Sequence, residues 1–297
     1  QKLGEAEVAA KSGISDILIT NQIVGQRKIS RLVKLAKETD VKVLVDSYQN
    51  VMELDQAARE KGIKLGVLVE VDVGMGRCGV QPGEQTLQLV KFIHDQKALK
   101  FMGLEGYEGH TCMIPSFKER ETRTLEAMKL LVDTKELVGE AGFEVEIVTG
   151  GSTGTYMITG KYPGVTEIEA GSYATMDKKY ASVEGVEFEH ALTILATVIS
   201  RPKEGVAIID AGLKAMSADF GLPDVISCRG AVLAENLSEE HGKLLLEGDA
   251  KQLQIGDKVE LLPSHGCTTI NLYDQFVVTR DDKVQEIWRI EGRGKFT

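Results

Sequence analysis

The chain has 297 residues, which is enough for one large domain or two ordinary ones, each with a substantial core. Its hydrophobic share of 42% and charged share of 27% are typical of a soluble globular protein. A net charge of −10 without any Lys/Arg block argues against a nucleic-acid surface, and no apolar run reaches the roughly 20 residues of a membrane span. No signal peptide is recognisable and the four cysteines are widely spaced, which predicts a cytoplasmic protein with reduced thiols.

The first 175 or so residues alternate short apolar runs with longer amphipathic stretches. Apolar residues recur at three- and four-residue spacing in the longer stretches, which predicts helices over residues 27–37, 50–61, 85–96 and 120–141. The short runs predict six strands, at residues 16–20, 41–46, 65–73, 99–107, 144–149 and 166–173. Strand and helix alternating at this pitch indicate βα units and a parallel sheet.

After about residue 180 the pattern changes to β-type runs that Gly, Pro and Asp separate. Seven such runs predict an all-β second domain with Greek-key or barrel connections: "HALTILATVISRP", "GVAIIDAGL", "AVLAEN", "KLLLEG", "DKVELLP", "TINLYDQFVVTR" and "KVQEIWRI". The expected domains are therefore residues 1–178, an α/β barrel of the (β/α)₈ type, and residues 179–297, a β-domain.

Barrels of this type carry their chemistry at the carboxyl ends of the strands. Those positions read "VDVGMGRCGV", "EGYEGHTC", "VTGGSTGTY" and "EAGSYATMD", which are rich in Gly, Ser and Thr. The stretch Gly150–Gly154, "GGSTG", precedes a predicted helix and suits a phosphate, because glycines allow backbone N–H groups to approach an anion. A simple tight turn is the alternative.

A histidine and a cysteine stand two residues apart in "LLPSHGCTTINLYDQF", which reads as a β-strand. Alternation along a strand would place His265 and Cys267 on one face, and imidazole with thiolate is a pair typical of Zn²⁺. The pair alone leaves open whether it is a metal site or two buried side chains. The other cysteines, Cys78, Cys112 and Cys228, are expected to be buried thiols.

Several stretches together resemble a known family: "LVEVDVGMGRCGV", "VTGGSTGT", "EIEAGSYATMD", "IIDAGLKA" and "LLPSHGCTTINLYD…VQEIWRIEGRGK". They are similar to the D-threonine aldolase and eukaryotic-type D-serine dehydratase family, and the similarity runs in order from residue 1 to 297. These are fold-type III pyridoxal-phosphate enzymes, built like alanine racemase from a barrel and a β-domain.

The resemblance implies a set of site residues. Arg77 and Tyr107 would line the cofactor ring, although a surface or interdomain ion pair for Arg77 and a packing role for Tyr107 are the alternatives. His265 and Cys267 would bind one divalent metal, with Zn²⁺ favoured by the thiolate and Mn²⁺ or Mg²⁺ as alternatives. The cofactor phosphate would contact Gly150, Gly151, Ser152, Thr153, Gly154, Gly171, Ser172 and Tyr173.

The implied activity is that of a pyridoxal-phosphate- and metal-dependent lyase acting on D-3-hydroxy amino acids, by retro-aldol cleavage or by β-elimination of water. The aldolases of the family have a base histidine at the position of Met113, where this chain departs from them. His110, three residues earlier, stands at a predicted strand end from which it could point into the site, so we expect it to be the catalytic residue; a polar loop histidine is the alternative. Together with Cys267 in place of an aspartate, this departure slightly favours elimination. The family also implies a homodimer.

The Schiff-base lysine of the family lies on the first barrel strand, and we expect it upstream of Gln1, together with the first two strands of eight. Lys214 is an unsuitable substitute because it lies in the predicted β-domain. Two alternatives remain: a metal-independent pyridoxal-phosphate amino-acid racemase, against which the His265/Cys267 pair argues, and a non-catalytic pyridoxal-phosphate-binding module.

Overall fold

The computed structural model describes residues 2–297 and divides the chain into two compact units. The N-terminal unit extends to Ala170 and includes Gly294–Thr297, and the C-terminal unit is Gly171–Arg293. The predicted boundary at 178/179 falls inside a short helix of the C-terminal unit, Lys178–Ala181. No helix among residues 2–297 is both long enough and apolar enough to cross a membrane.

The N-terminal unit is built on a parallel sheet of six strands in chain order, which confirms the predicted number and direction. Its strands are β1 (Asp16–Gln22), β2 (Asp40–Val45), β3 (Leu65–Glu70), β4 (Leu99–Glu105), β5 (Ile147–Gly150) and β6 (Glu167–Ile168). Its helices are α1 (Leu3–Lys11), α2 (Gln26–Leu35), α3 (Tyr48–Lys61), α4 (Glu84–His94), α5 (Phe117–Glu140) and α6 (Tyr156–Thr159).

Side-chain alternation along the strands gives this sheet two different faces. Val41, Val43 and Val45 of β2 pack with the helices in the main core, whereas Leu44 of the same strand belongs to a smaller cluster with Leu68 and Met102. The face of the sheet away from the helices, called the inner face, therefore has an apolar layer. Polar side chains follow this layer at the carboxyl ends of the strands. This arrangement brings the carboxyl ends of β3 to β6 together.

The C-terminal unit is an antiparallel sheet with a separate hairpin, as the β-type runs predict. The sheet order is β10-β11-β8-β7-β12-β9, and β13 pairs with β14. The strands are β7 (Ile194–Lys203), β8 (Val206–Ile209), β9 (Asp224–Val225), β10 (Ala231–Leu233), β11 (Gly242–Leu246), β12 (Lys258–Leu262), β13 (Gln275–Arg280) and β14 (Lys283–Arg289). Helices α7 (Lys178–Ala181) and α8 (Gly266–Ile270) complete it.

Two local predictions are wrong. His265 and Cys267 are not on a strand: β12 ends at Leu262, His265 caps α8, and Cys267 lies in its first turn. Pro263 has no backbone N–H to continue the ladder, so the chain leaves the sheet there. Nor are all three remaining thiols buried: only Cys112 is, whereas Cys78 is exposed in an irregular loop and Cys228 is half-buried.

Candidate active site

A buried carboxylate anchors the glycine-rich loop that follows β5. Glu108 is fully buried, and its Oε2 accepts a hydrogen bond from the backbone N–H of Gly151 at 2.9 Å. Its Oε1 accepts from the hydroxyl of Thr155 at 2.7 Å and from that of Thr159. Charge-assisted hydrogen bonds of this kind compensate for burying the carboxylate. Glu108 therefore fixes the loop to the end of β4.

Other groups within the glycine-rich loop also satisfy its backbone. The N–H of Ser152 donates to Thr155 Oγ1 at 2.9 Å, and the N–H of Gly154 donates to Ser152 Oγ at 3.1 Å. A Cβ at Gly154 would lie 1.8 Å from the carbonyl oxygen of Cys112, so only glycine fits there. The glycines of this predicted phosphate loop thus serve close packing, and three of its N–H groups already have acceptors within the chain.

Arg77 and Tyr107, the predicted partners of the cofactor ring, lie together in the N-terminal unit. The guanidinium carbon of Arg77 is 5.5 Å from the centre of the Tyr107 ring, a cation–π geometry. A Cβ at Gly109 would lie 2.3 Å from Tyr107 Cε1, so glycine allows the ring to fold back over the chain. Burial raises the pKa of Tyr107, which keeps the phenol protonated as a hydrogen-bond donor.

His110, the predicted catalytic residue, lies in the turn that follows Glu108 and not at the end of β4. The side chain is exposed, and its ring lies against Gly74, where a Cβ would be 3.0 Å from His110 Cε1. Its catalytic role stays a prediction.

Three glutamates that the sequence analysis missed gather at the carboxyl ends of β3, β4 and β6. Burial raises the pKa of Glu70. The pKa of Glu105 lies well above its usual range, mainly because the side chain is buried and secondly because the charge of Glu169 is near. Burial also raises the pKa of Glu169 to about 7, although a hydrogen bond from Thr149 opposes the shift. Within residues 2–297, Oε2 of Glu105 has no hydrogen-bond partner. The signal was a glutamate at the end of apolar runs, in "GVLVE" and "FMGLE".

The predicted metal pair lies in the C-terminal unit, and its two side chains are hydrogen-bonded to each other. This bond is the main reason that the pKa of His265 rises to about 9 and that the pKa of Cys267 falls. Nδ1 of His265 lies 2.6 Å from Oδ2 of Asp219, and the ring of Phe220 stacks on the imidazole at 4.3 Å. Sequence reasoning missed both contacts, because Asp219 is 46 residues away along the chain.

The predicted phosphate residue Ser172 contacts this pair. A hydrogen bond from Ser172 helps to lower the pKa of Cys267, after the larger contribution of His265. Asp177 joins the same two stretches: Oδ2 accepts from the N–H of Gly266 at 3.0 Å and Oδ1 from that of Tyr180 at 2.9 Å. The structure therefore brings "GSYATMD" and "SHGC" together within one unit.

The residues of this unit fit the two groups that the resemblance implies. The N–H groups of Gly171 and Ser172 donate to no acceptor within residues 2–297, and no other atom lies within 4 Å of a Cβ placed at Gly171, so an anion can approach them. For a metal, the unit offers one imidazole and one thiolate with Asp219 behind the ring. The described residues include no cluster of three or more metal-binding side chains. Two protein ligands, His265 and Cys267, would leave coordination positions of a four-coordinate ion to substrate and water.

Two protein families match the chain: the alanine racemase N-terminal domain over residues 1–179 and the putative serine dehydratase domain over residues 191–279. A 3-hydroxy-D-aspartate aldolase of Paracoccus denitrificans (strain Pd 1222) is 37% identical, over 99% of this chain and 78% of its own length. A D-threonine aldolase of an Arthrobacter species is also 37% identical, with the same coverage. The chain belongs to the D-threonine aldolase family.

Solved structures agree with membership of the D-threonine aldolase family. A D-threonine aldolase from Filomicrobium marinum superposes with a TM-score of 0.95 at 36% identity, covering 99% of this chain and 81% of that one. The predicted family, the alanine racemase-like fold and the lyase class are therefore confirmed, and pyridoxal phosphate is the cofactor of this fold type.

Variants of a more distant relative, a D-threo-3-hydroxyaspartate dehydratase, have also been solved. In one variant a histidine is replaced by alanine. Its structure superposes on this chain with a TM-score of 0.89 at 26% identity, covering 97% of this chain and 80% of that one. In the other variant the cysteine two positions later is replaced by alanine, and the protein is in the metal-free form. Its structure superposes with a TM-score of 0.86 at 26% identity, covering 97% of this chain and 82% of that one.

Proposed function

We propose that the protein is a pyridoxal-phosphate- and divalent-metal-dependent lyase that cleaves D-3-hydroxy amino acids by the retro-aldol reaction, acting as a cytoplasmic homodimer. The contact between His265 and Cys267, held by Asp219, carries the metal part of this proposal. The identity of 37% to two aldolases supports retro-aldol cleavage over elimination.

His265 and Cys267 would hold the metal, with Zn²⁺ preferred because a thiolate and an imidazole suit it. The metal-free cysteine variant of the dehydratase supports this assignment, since that cysteine also follows a histidine by two positions. Such an ion would supply Lewis acidity at the β-hydroxyl of the substrate. The hydrogen bond with His265, and to a smaller extent that with Ser172, lowers the pKa of Cys267 and so favours the thiolate that a metal binds.

The cofactor supplies stabilisation of negative charge at Cα of the bound amino acid. In the C-terminal unit, the N–H groups of Gly171 and Ser172 are the donors open to its phosphate. In the N-terminal unit, Arg77 and Tyr107 stay the predicted partners of its ring, and His110 stays the predicted catalytic residue.

β-Elimination of water is the second candidate, because the dehydratase shares the histidine–cysteine spacing. Incubating the purified full-length protein with D-threonine and with D-3-hydroxyaspartate separates the two: aldol cleavage gives glycine and an aldehyde, whereas dehydration gives a keto acid and ammonia. A chelator should abolish the activity, and added Zn²⁺ should restore it. Racemisation of alanine that a chelator leaves intact would instead identify a racemase.

Replacing a metal ligand gives a direct test of the pair. Cys267→Ala should reduce bound Zn²⁺ from about one ion per chain to background, because a single imidazole is a weak site. Cys228→Ala, which removes a half-buried thiol from the same unit, is the matched control and should keep its metal. Equal metal content in both variants, measured by elemental analysis, would refute the assignment of Cys267.

A further inference from the structure

Asp219 is held so that one of its oxygens faces His265. Oδ2 lies 2.6 Å from Nδ1 of the imidazole. The other oxygen, Oδ1, accepts hydrogen bonds from the hydroxyls of Ser217 and Thr268, the latter at 3.2 Å. The next residue, Phe220, stacks on the imidazole with the two planes 18° apart. The carboxylate and the phenyl ring therefore restrain the imidazole in two independent directions.

The segment that carries Asp219 and Phe220 is itself tied to the stretch that carries His265. Ser264 Oγ donates to the carbonyl oxygen of Ser217 at 3.2 Å, and the N–H of Ser217 donates to Thr269 Oγ1 at 3.2 Å. The hydroxyl of Tyr273 donates to the carbonyl oxygen of Ala215 at 2.7 Å. Contacts before, within and after α8 thus fix the position of Asp219 relative to the imidazole.

This geometry decides which ring nitrogen is available to a metal. When Nδ1–H donates to a carboxylate, the neutral imidazole has its lone pair on Nε2. Asp219 Oδ2 lies on the Nδ1 side, away from that lone pair, so it serves the ring and is not itself a ligand. Metal-binding histidines are commonly oriented by such a carboxylate, which also raises the basicity of the ligand.

We infer that Asp219 is the positioning residue of the metal site: it fixes the tautomer and orientation of His265 so that Nε2 binds the ion. The inference rests on the proposed metal site. In a purely structural role, Asp219 would only join Ser217 to Thr268, and removing its carboxylate would change stability but not metal affinity. In the positioning role that we infer, removing the carboxylate lowers metal affinity.

The test is the dissociation constant for Zn²⁺, measured on the full-length protein by competition with a chromophoric chelator. Asp219→Ala should weaken binding about 10- to 100-fold, the usual effect of losing such a partner. Asp219→Asn retains an oxygen acceptor but not the charge, and we expect a loss at the lower end of this range, about 10-fold. Glu240→Gln is the control, since it removes an exposed carboxylate whose partner is Lys214 in the same unit.

A second readout separates orientation from folding. Co²⁺ bound in place of Zn²⁺ should give altered visible absorption bands in Asp219→Ala, and unchanged bands in Glu240→Gln. Wild-type Zn²⁺ affinity in a folded Asp219→Ala protein overturns the inference. If that variant does not fold, Asp219→Asn decides in the same way. Failure of the wild-type protein to bind Zn²⁺ would instead reject the proposed metal site.

Discussion

Glu108 shows how a single buried side chain can organise a loop. Its two carboxylate oxygens accept one backbone N–H and two hydroxyl hydrogen bonds, and no basic side chain is among these donors. In "GYEGHT" the sequence indicates functional roles for its neighbours Tyr107 and His110, but not for Glu108 itself. The donors could not be predicted, because Thr155 and Thr159 lie 47 and 51 residues further along the chain.

Replacing Glu108 should destabilise the N-terminal unit strongly. In Glu108→Gln an amide group would face donors that need an acceptor, so we expect a loss of about 2–4 kcal/mol in the free energy of unfolding. Urea unfolding at neutral pH measures it. Glu136→Gln, on the exposed face of α5, should change stability by less than about 0.5 kcal/mol. Equal stability of the two variants would show that the three hydrogen bonds contribute nothing.

The elements that position the two halves of the predicted site differ in how well the sequence predicts them. Helix α3 was expected over residues 50–61 and occupies Tyr48–Lys61, because its apolar spacing and the terminal Gly62 are local signals. The strand expected through His265 does not form. There the alternation of apolar residues misleads, and the decisive features are Pro263 and a hydrogen bond from Gly266 to Asp177, 89 residues away in sequence.

Asp177 links "GSYATMD" to "SHGC" in the C-terminal unit. It is fully buried, caps α7 and holds the first N–H of α8. The preceding residue, Met176, is also buried and has a φ of 54°, a backbone conformation that costs about 1–3 kcal/mol in a non-glycine residue. The surrounding contacts must therefore outweigh this strain, and the sequence does not reveal it.

Removing the side chain of Asp177 should loosen the metal pair as well as the fold. Asp177→Ala leaves two buried N–H groups without acceptors, so we expect a loss of about 2–4 kcal/mol in unfolding free energy and weaker Zn²⁺ binding. Asp224→Ala breaks only an exposed ion pair with Lys178 and should cost less than about 1 kcal/mol. Calorimetry with and without Zn²⁺ measures both effects. A Zn²⁺-induced stabilisation equal in the two variants would contradict the link.

At the scale of the whole N-terminal unit, the charged side chains of the sheet differ between the amino ends and the carboxyl ends of the strands. At the amino ends of the strands Lys42 is neutralised by Asp16 and Asp40, at 2.7 and 2.9 Å. At the carboxyl ends Glu105 and Glu169 are held among other carboxyl groups. The sequence predicts the parallel sheet, since its periodicity is local, but not this acidic end, which exists only when distant strands meet.

The acidic end makes stability depend on pH in a defined direction. The pKa of Glu169 is about 7 in the folded protein against 4.5 in the unfolded chain, so the folded state binds the proton more tightly. Its contribution is therefore fully present below pH 4.5 and is lost as the pH rises through 7. At 1.36 kcal/mol for each pKa unit, the loss is about 3 kcal/mol.

Glu169→Gln removes this titration, because its amide is uncharged throughout the range. We expect the variant and the wild type to have similar unfolding free energies near pH 4.5, and the variant to be more stable at pH 8 by up to about 3 kcal/mol. Urea unfolding at several pH values gives both curves. Glu126→Gln, at an exposed position of α5, should follow the wild type. If the Glu169→Gln and wild-type curves run parallel, Glu169 is not the group whose titration makes stability depend on pH.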